Sequence, residues 1–205
     1  MRLGLLGPAN GDLASLARCA EFLLNEARVT RAIYLGADAA LEETVALWAE
    51  SLVGPDPSDE GIWERALVTA AGGSPEQIDA FLRAERARLR LKSLEGLPPD
   101  ELRTVEMFGD RVAVLIHDKA LLDEEDIFSA TFLVYGRSAG PLVKKIGPRW
   151  FLTPGPVDPQ GGGGGAAVLD DSGDDVVATL YDADGRATSS EILSARRAPK
   201  LSVRQ

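Results

Sequence analysis

Few side chains in this sequence of 205 residues are equipped for chemistry, and they are widely spaced. The only histidine, His117, ends an apolar run and is followed at once by Asp118. An imidazole beside a carboxylate can move protons or contribute to a metal site, but one imidazole does not hold a catalytic metal by itself, since zinc centres take three or more protein ligands. Arg137 offers the opposite chemistry. Its guanidinium is permanently charged, so it binds phosphate or carboxylate and repels a metal cation placed beside it. Asn10, Asp12 and Asp38 each follow a short apolar run and a glycine.

Four of these residues also have a plainer role. Asp12 precedes an amphipathic segment and suits the first turn of a helix, where the macrodipole favours a carboxylate. Asp38, with Glu42 and Glu43 just beyond it, suits a helix N-cap. Asp118 suits a solvated turn, and His117 a structural hydrogen bond at a strand end, with ligand binding as the alternative. Lys144 and Lys145 interrupt a strand-like run, a device that keeps edge strands from aggregating.

The elements that would position these groups follow from hydrophobic periodicity. Arg2 to Leu6 is a short apolar run closed by Gly7-Pro8, and Leu13 to Glu26 has helical spacing. Ala32 to Leu35 followed by Leu41 to Leu52 repeats the pattern, so the chain opens β-α-β-α, with a parallel strand pair and a right-handed crossover. Gly54 to Asp59 is a turn-rich linker, and Ile62 to Ala70 is a helix that leads into a third strand near Ala66 to Ala70. Ser74 caps the next helix, with Pro75 at its first position and Gln77 three residues past the cap, and this helix runs to about Ser93.

From Leu102 onward the pattern changes to short runs separated by Gly, Pro and Asp. They are Arg103–Phe108, Arg111–His117, Thr131–Tyr135, Leu142–Ile146, Trp150–Thr153, Ala166–Leu169, Val176–Asp182 and Ser189–Leu193. Only Leu121 to Phe128 is helical in this half. Trp48 belongs to a core face with Val45 and Leu52, whereas Trp63 and Trp150 fit either a core or a partner's groove. Two sheets packed face to face with helices outside would use both halves as one α/β core. One domain over residues 1–193 is expected, with a basic C-terminal tail at 194–205 that carries Arg196, Arg197, Lys200 and Arg204.

Composition narrows the partners. A formal net charge of −10 and no clustered Lys/Arg face argue against nucleic acid, which needs cations to displace phosphate counterions. The single cysteine, Cys19, lies in an apolar helical stretch and fits a reducing compartment. The N-terminal apolar run is too short for a signal peptide or a membrane span, so a soluble cytoplasmic protein is expected. Gly161 to Gly165 lacks the Lys-Ser/Thr ending of a phosphate loop and suits a hairpin connection.

The order of segments resembles that of the calcineurin-like metallophosphoesterases, most of all the small YfcE-type phosphodiesterases, over roughly Arg2 to Leu193. The family's first strand ends in a D-x-H-G-N type loop, and here the stretch reads Pro8-Ala9-Asn10-Gly11-Asp12. Its second strand ends in Gly-Asp, where this chain has Gly36-Ala37, with Asp38 one residue late. The family's G-N-[HC]-D loop corresponds to Gly72-Gly73-Ser74-Pro75, its H-G-H strand end to His117-Asp118-Lys119, and its G-H-T-H motif to Gly136-Arg137-Ser138-Ala139. Its N-P-G-S turn corresponds to Thr153-Pro154-Gly155-Pro156.

The resemblance implies a two-sheet β-sandwich flanked by helices in four layers, αββα, and a pocket in which nearly every metal ligand is replaced. It leaves three functions open. In the first, the chain is a pseudoenzyme with no metal cofactor that acts on a protein partner or as a homo-oligomer. In the second, Asp38, His117, Asp118 and Asn10 hold one divalent metal, such as manganese or zinc, for a remodelled phosphodiesterase. In the third, Arg137 and Asn10 hold an anionic small molecule.

Overall fold

The computed structural model describes residues 1–157, 164–173 and 175–193. The basic segment 194–205 and three of the five glycines, residues 161–163, lie outside the described residues.

The first half alternates strands and helices: β1 (Arg2–Leu6), α1 (Leu13–Asn25), β2 (Arg31–Tyr34), α2 (Ala40–Val53), α3 (Ile62–Gly72), α4 (Pro75–Arg90) and β3 (Leu94–Gly96). The second half is mostly strand: β4 (Arg103–Phe108), β5 (Arg111–Ile116), α5 (Glu124–Ser129), β6 (Phe132–Tyr135), β7 (Leu142–Ile146), β8 (Arg149–Thr153), β9 (Ala166–Asp170), β10 (Val176–Tyr181) and β11 (Ala187–Leu193). They form a six-stranded sheet, ordered β11-β10-β9-β1-β2-β3, and a five-stranded sheet, ordered β4-β5-β6-β8-β7. β1, β2 and β3 run parallel at one side of the first sheet, and β5, β6 and β8 run parallel in the middle of the second, so each sheet has a parallel group whose carboxyl ends lie along one edge.

Side chains alternate across these strands, and the alternation builds two cores. Leu3, Leu5, Ile33 and Leu35 meet Phe108, Leu115, Phe132 and Val134 between the sheets. Phe108 and Phe132 pack edge to face at 6.0 Å. On the other face, Leu6, Ala32 and Tyr34 pack with Leu16, Cys19, Leu23 and Leu41 from α1 and α2. A small third cluster, Val114, Ala130 and Leu133, lies with Leu122 and Phe151 beyond the five-stranded sheet, on the side of α5. The result is an α/β sandwich of two mixed sheets with helices outside. Burying a leucine in such a core contributes about 2 kcal/mol, and Leu3, Leu5 and Leu6 of β1 are all fully buried.

Local signals account for the helix starts. Asp12 caps α1 by accepting from the Ser15 amide, so it acts one position before the first turn, where the sequence reading put it. Ser74 and Gln77 form a full capping box on α4. Three elements differ from expectation. Ile62–Gly72 is helical throughout, and the third parallel strand is Leu94–Gly96, after α4. The α4 helix stops at Arg90 and tightens into a 3₁₀ turn over Leu91–Ser93. Leu121 to Phe128 divides into a 3₁₀ turn, Lys119–Leu121, and α5.

Trp48 packs against the helix-side core and Trp150 against the inter-sheet core, while Trp63 stands exposed. β7 is an edge strand, and Lys145 lies over the Trp150 ring at 5.3 Å. Among the described residues no helix is long and apolar enough to cross a membrane.

Candidate functional site

The carboxyl ends of the two parallel strand groups meet in one rim. Val157 donates its amide to the Pro8 carbonyl at 3.0 Å, joining the loop after β8 to the loop after β1. Gly7 lies so close to that same loop that a Cβ on it would fall 1.7 Å from the Gly155 carbonyl oxygen. The loop after β6 approaches the end of β2 in the same way, since a Cβ on Gly136 would fall 2.3 Å from the Leu35 carbonyl oxygen. Backbone contact this close is possible only for glycine, and it leaves little room between the sheets.

His117 extends this closure. Its Nδ1 lies 2.8 Å from the Leu35 carbonyl oxygen, so the ring donates from Nδ1 and leaves Nε2 as its other polar atom. Its own carbonyl accepts from the amides of Gly136 and Arg137, which ties β5 to the loop after β6.

Asp118 and Arg137 pair with each other. Asp118 Oδ1 accepts from the Ala120 amide at 2.9 Å and Oδ2 from the Arg137 guanidinium at 2.9 Å. These bonds, the backbone amide first, hold the carboxyl below the usual aspartate range. The Arg137 side chain is 75% exposed and turned toward this partner on the outer surface of the rim. Asn10 is also exposed and adopts a left-handed backbone (φ 50°), next to Gly11 at φ 90°.

The most constrained group on the rim is one that residue pattern did not single out, Tyr34. Its ring is buried and fills the space beside Gly36, where a Cβ would meet the ring at 2.2 Å. Its hydroxyl accepts from the Ala9 amide at 3.0 Å and donates to Asp38 Oδ1 at 2.6 Å. Burial, followed by the bond to Asp38, pushes the phenol well above its ordinary pKa. Asp38 Oδ1 also accepts from the Ala40 amide at 3.3 Å, although the N-cap position of α2 is Ala39. The available signal was a tyrosine ending an otherwise apolar buried strand, since a buried phenol needs a hydrogen-bond partner.

Ser138 and Thr153 form a second polar link that sequence reading did not anticipate. Their hydroxyls lie 3.0 Å apart, and Thr153 Oγ1 accepts from the Gly155 amide.

Thus the structure brings Asp38 and His117 to the ends of neighbouring sheets, places Asp118 and Arg137 together, and leaves Asn10 on the surface. Gly72-Gly73-Ser74-Pro75 is the junction between α3 and α4. The loop that continues the third parallel strand is Gly96-Leu97-Pro98-Pro99, which supplies no side-chain ligand. A 330 Å³ cavity opens beside it, lined by Tyr34, Asp38, Glu42, Leu97 and Leu102 among others.

These residues do not fit a two-metal centre. The side chains of Pro8 and Ala37 offer no lone pair, Asp38 and Asp118 have hydrogen-bond donors on them already, and Arg137 brings a positive charge. Among the described residues, no three His, Cys, Asp or Glu side chains are grouped so that they could share a metal ion.

Among solved structures, the chain is similar to the phosphoesterase YfcE from E. coli, with a TM-score of 0.54 and 15% identity over 95% of this chain and 100% of that one. Two others are a predicted phosphoesterase from Streptococcus pneumoniae TIGR4 (TM-score 0.48, 14% identity, 96% and 99% of the two chains) and Vps29 from Chaetomium thermophilum (0.46, 13%, 94% and 95%). No protein-family model matches the chain, and no curated protein matches it. The likeness to the E. coli protein spans nearly all of both chains and shows a shared architecture.

Proposed function

With the metallophosphoesterase fold of this chain as the premise, we propose that it acts by binding, as a protein-interaction or regulatory module, and does not hydrolyse phosphoesters. Two-metal hydrolysis needs a bridging carboxylate and ligands that keep two divalent ions about 3.5–4 Å apart, so that water is activated and the leaving oxygen stabilised. The observation that carries the reading is the state of the strand-end rim. His117 Nδ1, Asp38 and Asp118 are each held in an internal bond, and the guanidinium of Arg137 lies on Asp118.

The same geometry disfavours the anion-sensing alternative. Arg137 is turned to Asp118 at the surface and Asn10 points to solvent, so the two do not converge on a ligand. The proposed protein works without a metal cofactor, and its partner is another protein or a second copy.

Metal analysis of protein purified without chelator tests this, with manganese, zinc, iron and nickel then added singly and hydrolysis of bis-p-nitrophenyl phosphate followed. Negligible metal uptake and no turnover above buffer are expected. One or two equivalents held tightly, with turnover that disappears in His117→Ala, would establish the remodelled phosphodiesterase instead.

A further inference from the structure

The α3–α4 pair carries its apolar residues on the outside. Trp63, Leu67 and Val68 are 78%, 71% and 72% exposed, and no residue of α3 is buried. An 11-residue helix is marginal in water without packing, so something other than a core must hold it in place. That role falls to a chain of ion pairs beneath it. Arg65 reaches Glu85 at 2.7 Å, Glu85 reaches Arg88 at 2.8 Å, and Arg88 reaches Asp59 at 2.9 Å. Arg65 thus attaches α3, while Val68 stays exposed beside it.

Between this helix, α4 and the end of α2 lies a groove of 640 Å³. Its apolar wall includes Leu52, Val53, Val68 and Phe81, and Asp56 and Glu64 stand on its border. From residue 54 to the end of α4 the chain carries seven carboxylates, Asp56, Asp59, Glu60, Glu64, Glu76, Asp79 and Glu85, against five arginines at 65, 83, 86, 88 and 90. Arg65 and Arg88 are committed to Glu85 and Asp59, and Arg83 to Asp79, whereas Glu60 and Glu64 make no ion pair among the described residues.

We propose that this face is a docking surface for a basic amphipathic helix of another protein. Apolar anchors three and four residues apart would enter the groove, and flanking Lys or Arg would pair with the free acids. Charge selects this occupant over a second copy of the chain, which would bring the same surplus of carboxylates to the contact. Exposed apolar patches of this kind mark interaction sites. The inference rests on the binding reading above and names its surface.

The probe is a fluorescein-labelled Leu/Lys amphipathic peptide of roughly five helical turns, titrated into the full chain by fluorescence anisotropy, with a Leu/Glu peptide as control. Saturable binding is expected, weakened by about tenfold or more in Val68→Glu, which changes an exposed residue of the groove wall. The same loss is expected in the double variant Glu60→Lys, Glu64→Lys, and ¹⁵N shift changes should be confined to α3, α4 and residues 54–61. Both variants change exposed side chains, and unchanged far-UV circular dichroism verifies that they fold. Equal binding of the two peptides, or binding indifferent to both variants, sinks the proposal. So does a dimer in sedimentation that Val68→Glu converts to monomer, which makes a second copy the occupant. Peptide binding about tenfold tighter after removal of residues 194–205 overturns it too, since the chain's own end would then be the occupant. Phosphodiesterase turnover in the metal test would refute the binding reading without affecting this titration, so the two failures are distinguishable.

Discussion

The imidazole of His117 and the carbonyl of Leu35 join the two sheets at the rim, with 2.8 Å between Nδ1 and the oxygen. Leu35 is fully buried, so its carbonyl has little access to water if the ring is removed. His117→Ala should therefore cost about 1–2 kcal/mol, the penalty for orphaning one buried acceptor. Urea unfolding monitored by circular dichroism measures it, and an unchanged midpoint would show that the bond contributes nothing.

Tyr34→Phe removes the hydroxyl that serves both the Ala9 amide and Asp38. The ring still fills its space, so the loss is one of hydrogen bonding alone, about 1–3 kcal/mol. Hydrogen exchange at the Ala9 amide should accelerate in the variant. Retained protection there would mean that another acceptor replaces the phenol.

Gly7→Ala should be severely destabilising, because the new Cβ would fall 1.7 Å from the backbone oxygen of Gly155. The cost is about 3 kcal/mol or more, since backbone on both sides must move. Gly72→Ala is the matched control. A Cβ there meets nothing within 4 Å, and alanine in a helix is favoured over glycine by about 0.5–1 kcal/mol. Thermal melts of both variants decide the matter, and equal melting temperatures would refute the close contact.

Glu85 links stability to pH. Burial works against its charge, but Arg65 and Arg88 outweigh it and hold the folded carboxyl below its ordinary value of 4.5. A depressed carboxyl contributes stability that is present above the unfolded pKa and is lost as pH falls through the folded one. Glu85→Gln should therefore cost roughly 3 kcal/mol near neutrality, the scale for breaking a buried pair, and the gap to wild type should narrow as pH falls below the unfolded value and through the depressed folded one. Denaturant titrations from neutral to acid pH test the sign. A gap that widens toward acid would contradict it.

The linear order of elements was legible because each is marked locally. β1 ends in Gly-Pro, Ser74 announces α4, and the second half alternates short apolar runs with turn residues. The misread parts lack such marks. Leu94-Glu95-Gly96 is too short to show any periodicity, and it is a strand only because Ala32, Ile33 and Tyr34 of β2 offer it hydrogen bonds. Ile62 to Ala70 is apolar enough for a buried strand, and as an exposed helix it is tied down by the Arg65 pair with Glu85, 20 positions away, a distance no local window covers.

By itself the sequence determined the two-half α/β layout and the Ser74 cap, both of which are matters of residue type and short-range spacing. Tertiary structure alone decided what the remaining polar groups do. His117 binds a carbonyl in the other sheet, Tyr34 rather than a charged residue links Ala9 to Asp38, and Arg137 turns outward to Asp118. Hydrogen bonds and charge pairs act over about 3 Å, so their partners are settled only when packing brings distant segments together.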